Sequence, residues 1–153
     1  MKVYLMQHGE ALSEEQHPDR PLTDRGRADV ERIARMLAGT RLQLMEMWHS
    51  DKCRAAQSAE IVAEHVHVRG IVKTIEGLHP NDPIEPIAAV LQQQIDPVFI
   101  VGHLPFLSRL ASFLVTGDAE KSIVHFQMGG VICLGSQAGL WQIEWMLIPS
   151  VIQ

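Results

Sequence analysis

The sequence predicts an α/β protein in which strands alternate with helices around a mainly parallel sheet. Three observations carry that expectation. Short runs of strand character recur at Lys2 to Met6, Leu42 to Trp48, Gly70 to Ile75 and Pro97 to Gly102. Between them, apolar residues fall at the i, i+3, i+4, i+7 spacing of a helix face. The run Pro97-Val98-Phe99-Ile100-Val101-Gly102 is almost wholly apolar, which suits a central strand covered on both faces.

Taken in order, Lys2 to Met6 is the first strand. Arg20-Pro21-Leu22-Thr23 is a turn, and Thr23 is placed to cap the helix that follows. Val30, Ile33, Ala34 and Leu37 form the buried stripe of that helix, and Gly39 is its expected stop. After the second strand, Ser50 or Asp51 is expected to cap a helix running to about His65, with Ala55, Ala59, Val62 and Ala63 inward. Gly70 to Ile75 is a short third strand, Pro80 to Pro86 a proline-rich loop, and Ile87 to Gln94 a short helix. Leu104 to Val115 reads as the helix after the apolar strand. The tail changes period: Trp141, Ile143, Trp145 and Leu147 are expected on one face of a strand, with Gln142 and Glu144 on the other. Turn signals at Gly129-Gly130 and Ala138-Gly139 make these last strands antiparallel additions to the sheet.

A length of 153 residues suits a single domain spanning 1–153, with no internal repeat or composition break. The hydrophobic content of 46% is ordinary for a globular chain, and no apolar run approaches the length of a membrane span. The net charge of −5 argues against nucleic-acid and anionic-membrane partners, which need a clustered basic surface. Cys53 and Cys133 are too few for a disulfide framework, and the start of the chain lacks signal-peptide features. A reduced, cytoplasmic setting is the expectation.

Three segments share one design, a strand followed by a polar loop or helix start. They are Met6-Gln7-His8-Gly9-Glu10, Trp48-His49-Ser50-Asp51-Lys52-Cys53-Arg54 and Val101-Gly102-His103-Leu104-Pro105. Ligand sites of open α/β sheets gather beyond the carboxyl ends of the strands. Parallel neighbours would therefore bring His8, Arg54 and His103 to one crevice. Gly9 and Gly102 let backbone approach a ligand, and Arg54 falls in the first turn of its helix, where free N–H groups favour an anion. Two imidazoles, a guanidinium and a helix start suit phosphate. Taken alone, each residue has a plainer reading: His8 as a packed core histidine, His103 as a helix cap, Arg54 as a salt-bridge partner of Asp51 or Glu60. The His65-Val66-His67 pair reads as solvated polar residues rather than a metal site.

The ordered motifs carry a resemblance. MQHGEA at Met6 to Ala11, Arg20-Pro21-Leu22-Thr23 with Gly26, then Ser50, Arg54, Ala55, Gln57, Ser58, Ala59 and Glu60, then Gly77-Leu78-His79-Pro80 and Val101-Gly102-His103-Leu104-Pro105 resemble the histidine phosphatase superfamily. Within this phosphoglycerate mutase-like group, the short chain looks most like the SixA-type phosphohistidine phosphatases. The resemblance implies a three-layer α/β/α sandwich and a reaction with no cofactor and no metal ion. It implies that His8 accepts the phosphoryl group and that water releases it. Arg54 and His103 would complete the catalytic set, and Gln7, Gly9 and the N–H of Leu104 would help bind phosphate. The implied partner is a phosphohistidine-bearing protein or a small phosphorylated substrate.

Two positions depart from the family pattern. Gln7 stands where the family has an arginine, exchanging a charged fork for a neutral amide. That loss is expected to cost about 1–3 kcal/mol of phosphate binding. Arg20 or Lys52 are the nearby cations. Gly77 stands where the larger family members carry an acid, with Glu76 one place earlier.

Overall fold

The computed structural model describes residues 1–152. Its strands are β1 (Lys2–Gln7), β2 (Gln43–His49), β3 (His67–Thr74), β4 (Val98–Gly102), β5 (Val131–Gln137) and β6 (Leu140–Leu147). Four helices join them: α1 (Asp24–Gly39), α2 (Cys53–His65), α3 (Glu85–Gln93) and α4 (Phe106–Thr116). One mixed sheet runs β3-β2-β4-β1-β5-β6. β3, β2, β4 and β1 are parallel, while β5 and β6 add antiparallel strands at one edge. The expected α/β sandwich is present in three layers, and no helix among the described residues is long and apolar enough to cross a membrane.

Alternation across each strand divides the core into two layers. Val3 and Leu5 of β1 join Val98 and Ile100 of β4 beneath α3 and α4, while Tyr4, Met6, Phe99 and Val101 face α1 and α2. Every residue of β4 is buried, as its apolar run requires. Full burial of each large side chain contributes roughly 1.5–3 kcal/mol. α1 buries Val30, Ile33, Ala34 and Leu37, and Thr23 caps it by accepting the Gly26 N–H at 2.9 Å.

α1 ends at Gly39 as expected, and Arg41 (φ 55°) just beyond it is the left-handed residue that turns the chain. The structure differs from the sequence reading at three places. Neither Ser50 nor Asp51 caps α2: its N-cap residue is Lys52, without a side-chain cap, because the Ser50 hydroxyl is engaged elsewhere. β3 is longer than expected and mostly exposed, an edge strand in which polar and apolar residues are mixed. The third difference is in β6. Cys133 pairs with Trp145 but Leu134 pairs with Ile143, so Glu144 is an extra residue in a bulge. Trp141 consequently packs in the α3–α4 layer, whereas Trp145 and Leu147 pack in the other, and Ile143 is exposed. Glu144 lies over Gly135, where a Cβ would meet its carboxylate, and pairs with Lys2 at 2.7 Å.

Candidate active site

The carboxyl ends of β1, β2 and β4 deliver the expected residues to one place. β1 and β4 are in register through Gln7 and Gly102, so the next residue along each strand is a histidine. The rings of His8 and His103 stand 5.0 Å apart, centre to centre. Arg54, second residue of α2, directs its Nε to the Nε2 of His8 at 3.3 Å. The three residues predicted to converge do so, and each is buried.

The partners of His8 fix its tautomer. Arginine can only donate, so Nε2 must carry the lone pair. The proton is then on Nδ1, which donates to the Gly9 carbonyl at 2.7 Å. Burial, with the charges of Arg54 and Arg20 adding to it, pushes the pKa of His8 down to about 4. The ring is neutral at pH 7, with an unprotonated nitrogen facing the site.

His103 is held from the other side. Its Nε2 lies 2.6 Å from the Ser50 hydroxyl, and burial, reinforced by nearby cationic groups, lowers its pKa to about 3. Its Nδ1 is buried and has no hydrogen-bond partner. The same is true of Oε1 of Gln7. Buried polar atoms are normally paired, so the unpaired Nδ1 of His103, on a ring 5.0 Å from that of His8, marks a place built for a polar ligand. Arg54 itself has its pKa lowered by burial and by the neighbouring Arg20.

Two residues to which the motifs assign no role, Ser58 and Gln57, and Ser50, expected as a helix cap, support this geometry. Ser58 accepts the Gly9 N–H at 3.0 Å and donates to the Arg54 carbonyl at 2.7 Å, tying the β1 loop to α2. Gln57 accepts the Leu22 N–H at 2.8 Å and so secures the Arg20-Pro21-Leu22 turn. Ser50 positions His103 rather than a helix end. The one-turn spacing of Arg54, Gln57 and Ser58 was the available signal, since it places all three on one side of α2. Gly9 fits where a Cβ would lie 2.8 Å from the Gly26 carbonyl oxygen, and a Cβ on Gly26 would lie 2.1 Å from that of Glu10. The loop after β1 therefore rests directly on the first turn of α1.

Open grooves adjoin the cluster on two sides. One of about 580 Å³ is lined by Gln7, Glu10, Arg25, Leu104 and Met128 among others. The second, about 500 Å³, holds Arg20, Lys52 and Arg54 together with Glu14 and Asp19. Arg20 thus reaches the cleft. Its backbone is left-handed (φ 47°), and its Nε donates to the Leu12 carbonyl at 3.1 Å. Glu76 lines a third cavity with Asp51 and His79.

The model of the histidine phosphatase superfamily (branch 1) matches residues 3–79. Phosphohistidine phosphatase SixA of Escherichia coli strain K12 is 24% identical over 154 aligned residues, 97% of this chain and 94% of that one. The solved structure of the protein histidine phosphatase SixA complexed with tungstate is similar at a TM-score of 0.87, with 23% identity and 98% of each chain covered. The alpha-ribazole phosphatase from Shigella flexneri shares the fold at a TM-score of 0.73 and 17% identity, over 94% of this chain and 95% of that one. With half its length matched by the family model and its motifs gathered at one crevice, the chain belongs to the histidine phosphatase superfamily.

Proposed function

We propose that this protein is a phosphatase that works through a phosphohistidine on His8, with phosphohistidine in a protein as its substrate. The observation that carries the reading is the state of His8: neutral, protonated on Nδ1, with the Nε2 lone pair beside the Arg54 guanidinium. In the first step Nε2 attacks phosphorus, and the P–N or P–O bond to the leaving group breaks. In the second, water attacks phosphorus and the electron pair of the P–Nε2 bond returns to His8. Arg54 stabilises the equatorial oxygens as charge redistributes over them. We assign Ser50 as the donor to Nε2 of His103, 2.6 Å away, so that the proton of that ring lies on Nδ1, the atom without a partner, and donates to a phosphoryl oxygen. The N–H of Leu104 and the amide of Gln7 line the remainder of the phosphate position, while the Gly9 N–H is taken by Ser58 and Gly9 serves to bring the loop close. Arg20, which lines the adjoining groove with Arg54, supplies part of the positive charge that Gln7 does not.

The similarity to the SixA phosphatases supports phosphohistidine as the substrate class. The test is release of phosphate from a phosphohistidine-bearing carrier protein and from an aryl phosphate. The wild-type chain is expected to turn over both and His8→Ala neither. Equal rates for the two proteins would remove His8 from the chemistry.

A second reading is favoured by one observation, the neutral Gln7 whose buried Oε1 has no partner. In it, the chain binds phosphate or a phosphoprotein without turnover. Calorimetric binding of orthophosphate with no hydrolysis, and none gained in Gln7→Arg, would favour this alternative.

A further inference from the structure

Displacing an alkoxide or aryloxide from phosphorus leaves a strong base unless a proton reaches it, and a positioned acid contributes about 10²–10⁴-fold. The central cluster has no such acid. Its two histidines are neutral, with His8 committed as lone-pair donor, and an arginine does not release its proton. Gly77 has no side chain to offer.

We propose that His79, aligned by Asp51, is the proton donor to the leaving group of a phosphomonoester, a role that rests on the phosphatase reading above.

Four observations place the pair. Nε2 of His79 lies 2.6 Å from Oδ1 of Asp51, which leaves Nδ1 for proton transfer. Asp51 directly follows Ser50, the residue that holds His103, and it lines the same groove as Arg20, Lys52 and Arg54. Asp51 and His79 also line a cavity of about 430 Å³ with Thr74, Ile75 and Glu76, so Asp51 borders both spaces. The loop carrying His79 is anchored: Leu78 is fully buried, and the His79 N–H donates to Oδ2 of Asp82 at 2.9 Å. The two side chains are 45% and 64% exposed, which leaves them open to a bound substrate.

The step balances. Nε2 of His8 bonds to phosphorus while the P–O bond breaks, and the departing oxygen takes the pair and the Nδ1 proton of His79. Asp51 stabilises the imidazolium beforehand and keeps its orientation. In the hydrolytic step neutral His79 takes a proton from the attacking water and is restored. The class of substrate this favours is the ester of a poor leaving alcohol, beyond phosphohistidine itself.

The experiment compares phenyl phosphate with 2,4-dinitrophenyl phosphate, whose leaving group needs no proton. In His79→Ala the ratio of kcat/KM for phenyl to dinitrophenyl phosphate is expected to fall about 10²-fold. In Asp51→Asn, which keeps a partner for the ring without its charge, the ratio falls about tenfold. An unchanged ratio in His79→Ala overturns the inference. So does loss of orthophosphate affinity in calorimetry, because the role would then be structural. Absence of wild-type turnover, or turnover retained by His8→Ala, overturns the phosphatase reading itself, and this inference falls with it. An unchanged ratio in an active, His8-dependent enzyme sinks the donor alone.

Discussion

The parallel half of the sheet and its antiparallel edge use burial in opposite ways. At the carboxyl ends of β1, β2 and β4, His8, Ser50, Arg54, Ser58 and His103 are buried polar groups; Ser112 in α4 is the other such residue among those described. Around β5 and β6 the buried side chains are apolar, among them Ile132, Leu134 and Trp141. Yet the antiparallel side is not idle. The Gly129 N–H bonds to the carbonyls of Gln7 and His8 at 2.9 and 3.0 Å, and the Gln7 N–H bonds to the Gly130 carbonyl at 3.2 Å. One half carries the reacting groups, and the other holds the backbone that presents them. Desolvation that would be costly elsewhere is offset here by fixed partners, and what is left unpaired is available to a ligand.

Variants can separate the two contributions, beginning with the greatest effect. Trp141→Ala, at a 7% exposed position in the antiparallel edge, should destabilise by about 3–5 kcal/mol in chemical denaturation. Protein that remains folded should keep its kcat; a proportional loss of kcat would show that the edge takes part in the chemistry. Arg54→Ala should reverse the pattern, with kcat falling about 10²–10³-fold and a much smaller change in unfolding midpoint. Gln7→Arg should raise kcat/KM about 10- to 100-fold, by adding a charge-assisted bond to the phosphate. No gain there would mean that Arg20 already supplies the missing charge.

The mildest test is pH. His8 and His103 have pKa values of about 4 and about 3 in the fold, below the usual 6.5, so the unfolded chain takes up protons first on acidification. Their contribution is complete above pH 6.5 and is lost as pH falls toward 3. The melting temperature should therefore decline over that window. His8→Asn should flatten part of the decline, whereas a substitution at exposed Leu140 should not.

The sequence made the parallel half legible because local signals and tertiary demands coincide there. The wholly apolar β4, the stripe of α1 and the Thr23 cap all follow from period and chemistry. His8, Arg54 and His103 could be named because each directly follows a strand or opens a helix. Ser50 was misjudged because a serine before a helix looks like a cap, while its actual partner is 53 residues away in sequence. β6 was misjudged because period-2 reading assumes an unbroken strand. Nothing local marks Glu144 as the extra residue; it bulges where Gly135 on the neighbouring strand makes room and Lys2 supplies a charge.

The contact between Gly9 and Gly26 has a consequence for redesign. The spacing between nucleophile loop and first helix is set by backbone against backbone, with no side chain to trim or repack. The corner from β1 to α1 must therefore be inherited or transplanted as a block. The Ala138-Gly139 turn lies at the far end of the hairpin, with no atom near a Cβ at Gly139, and it is the natural place for an inserted segment.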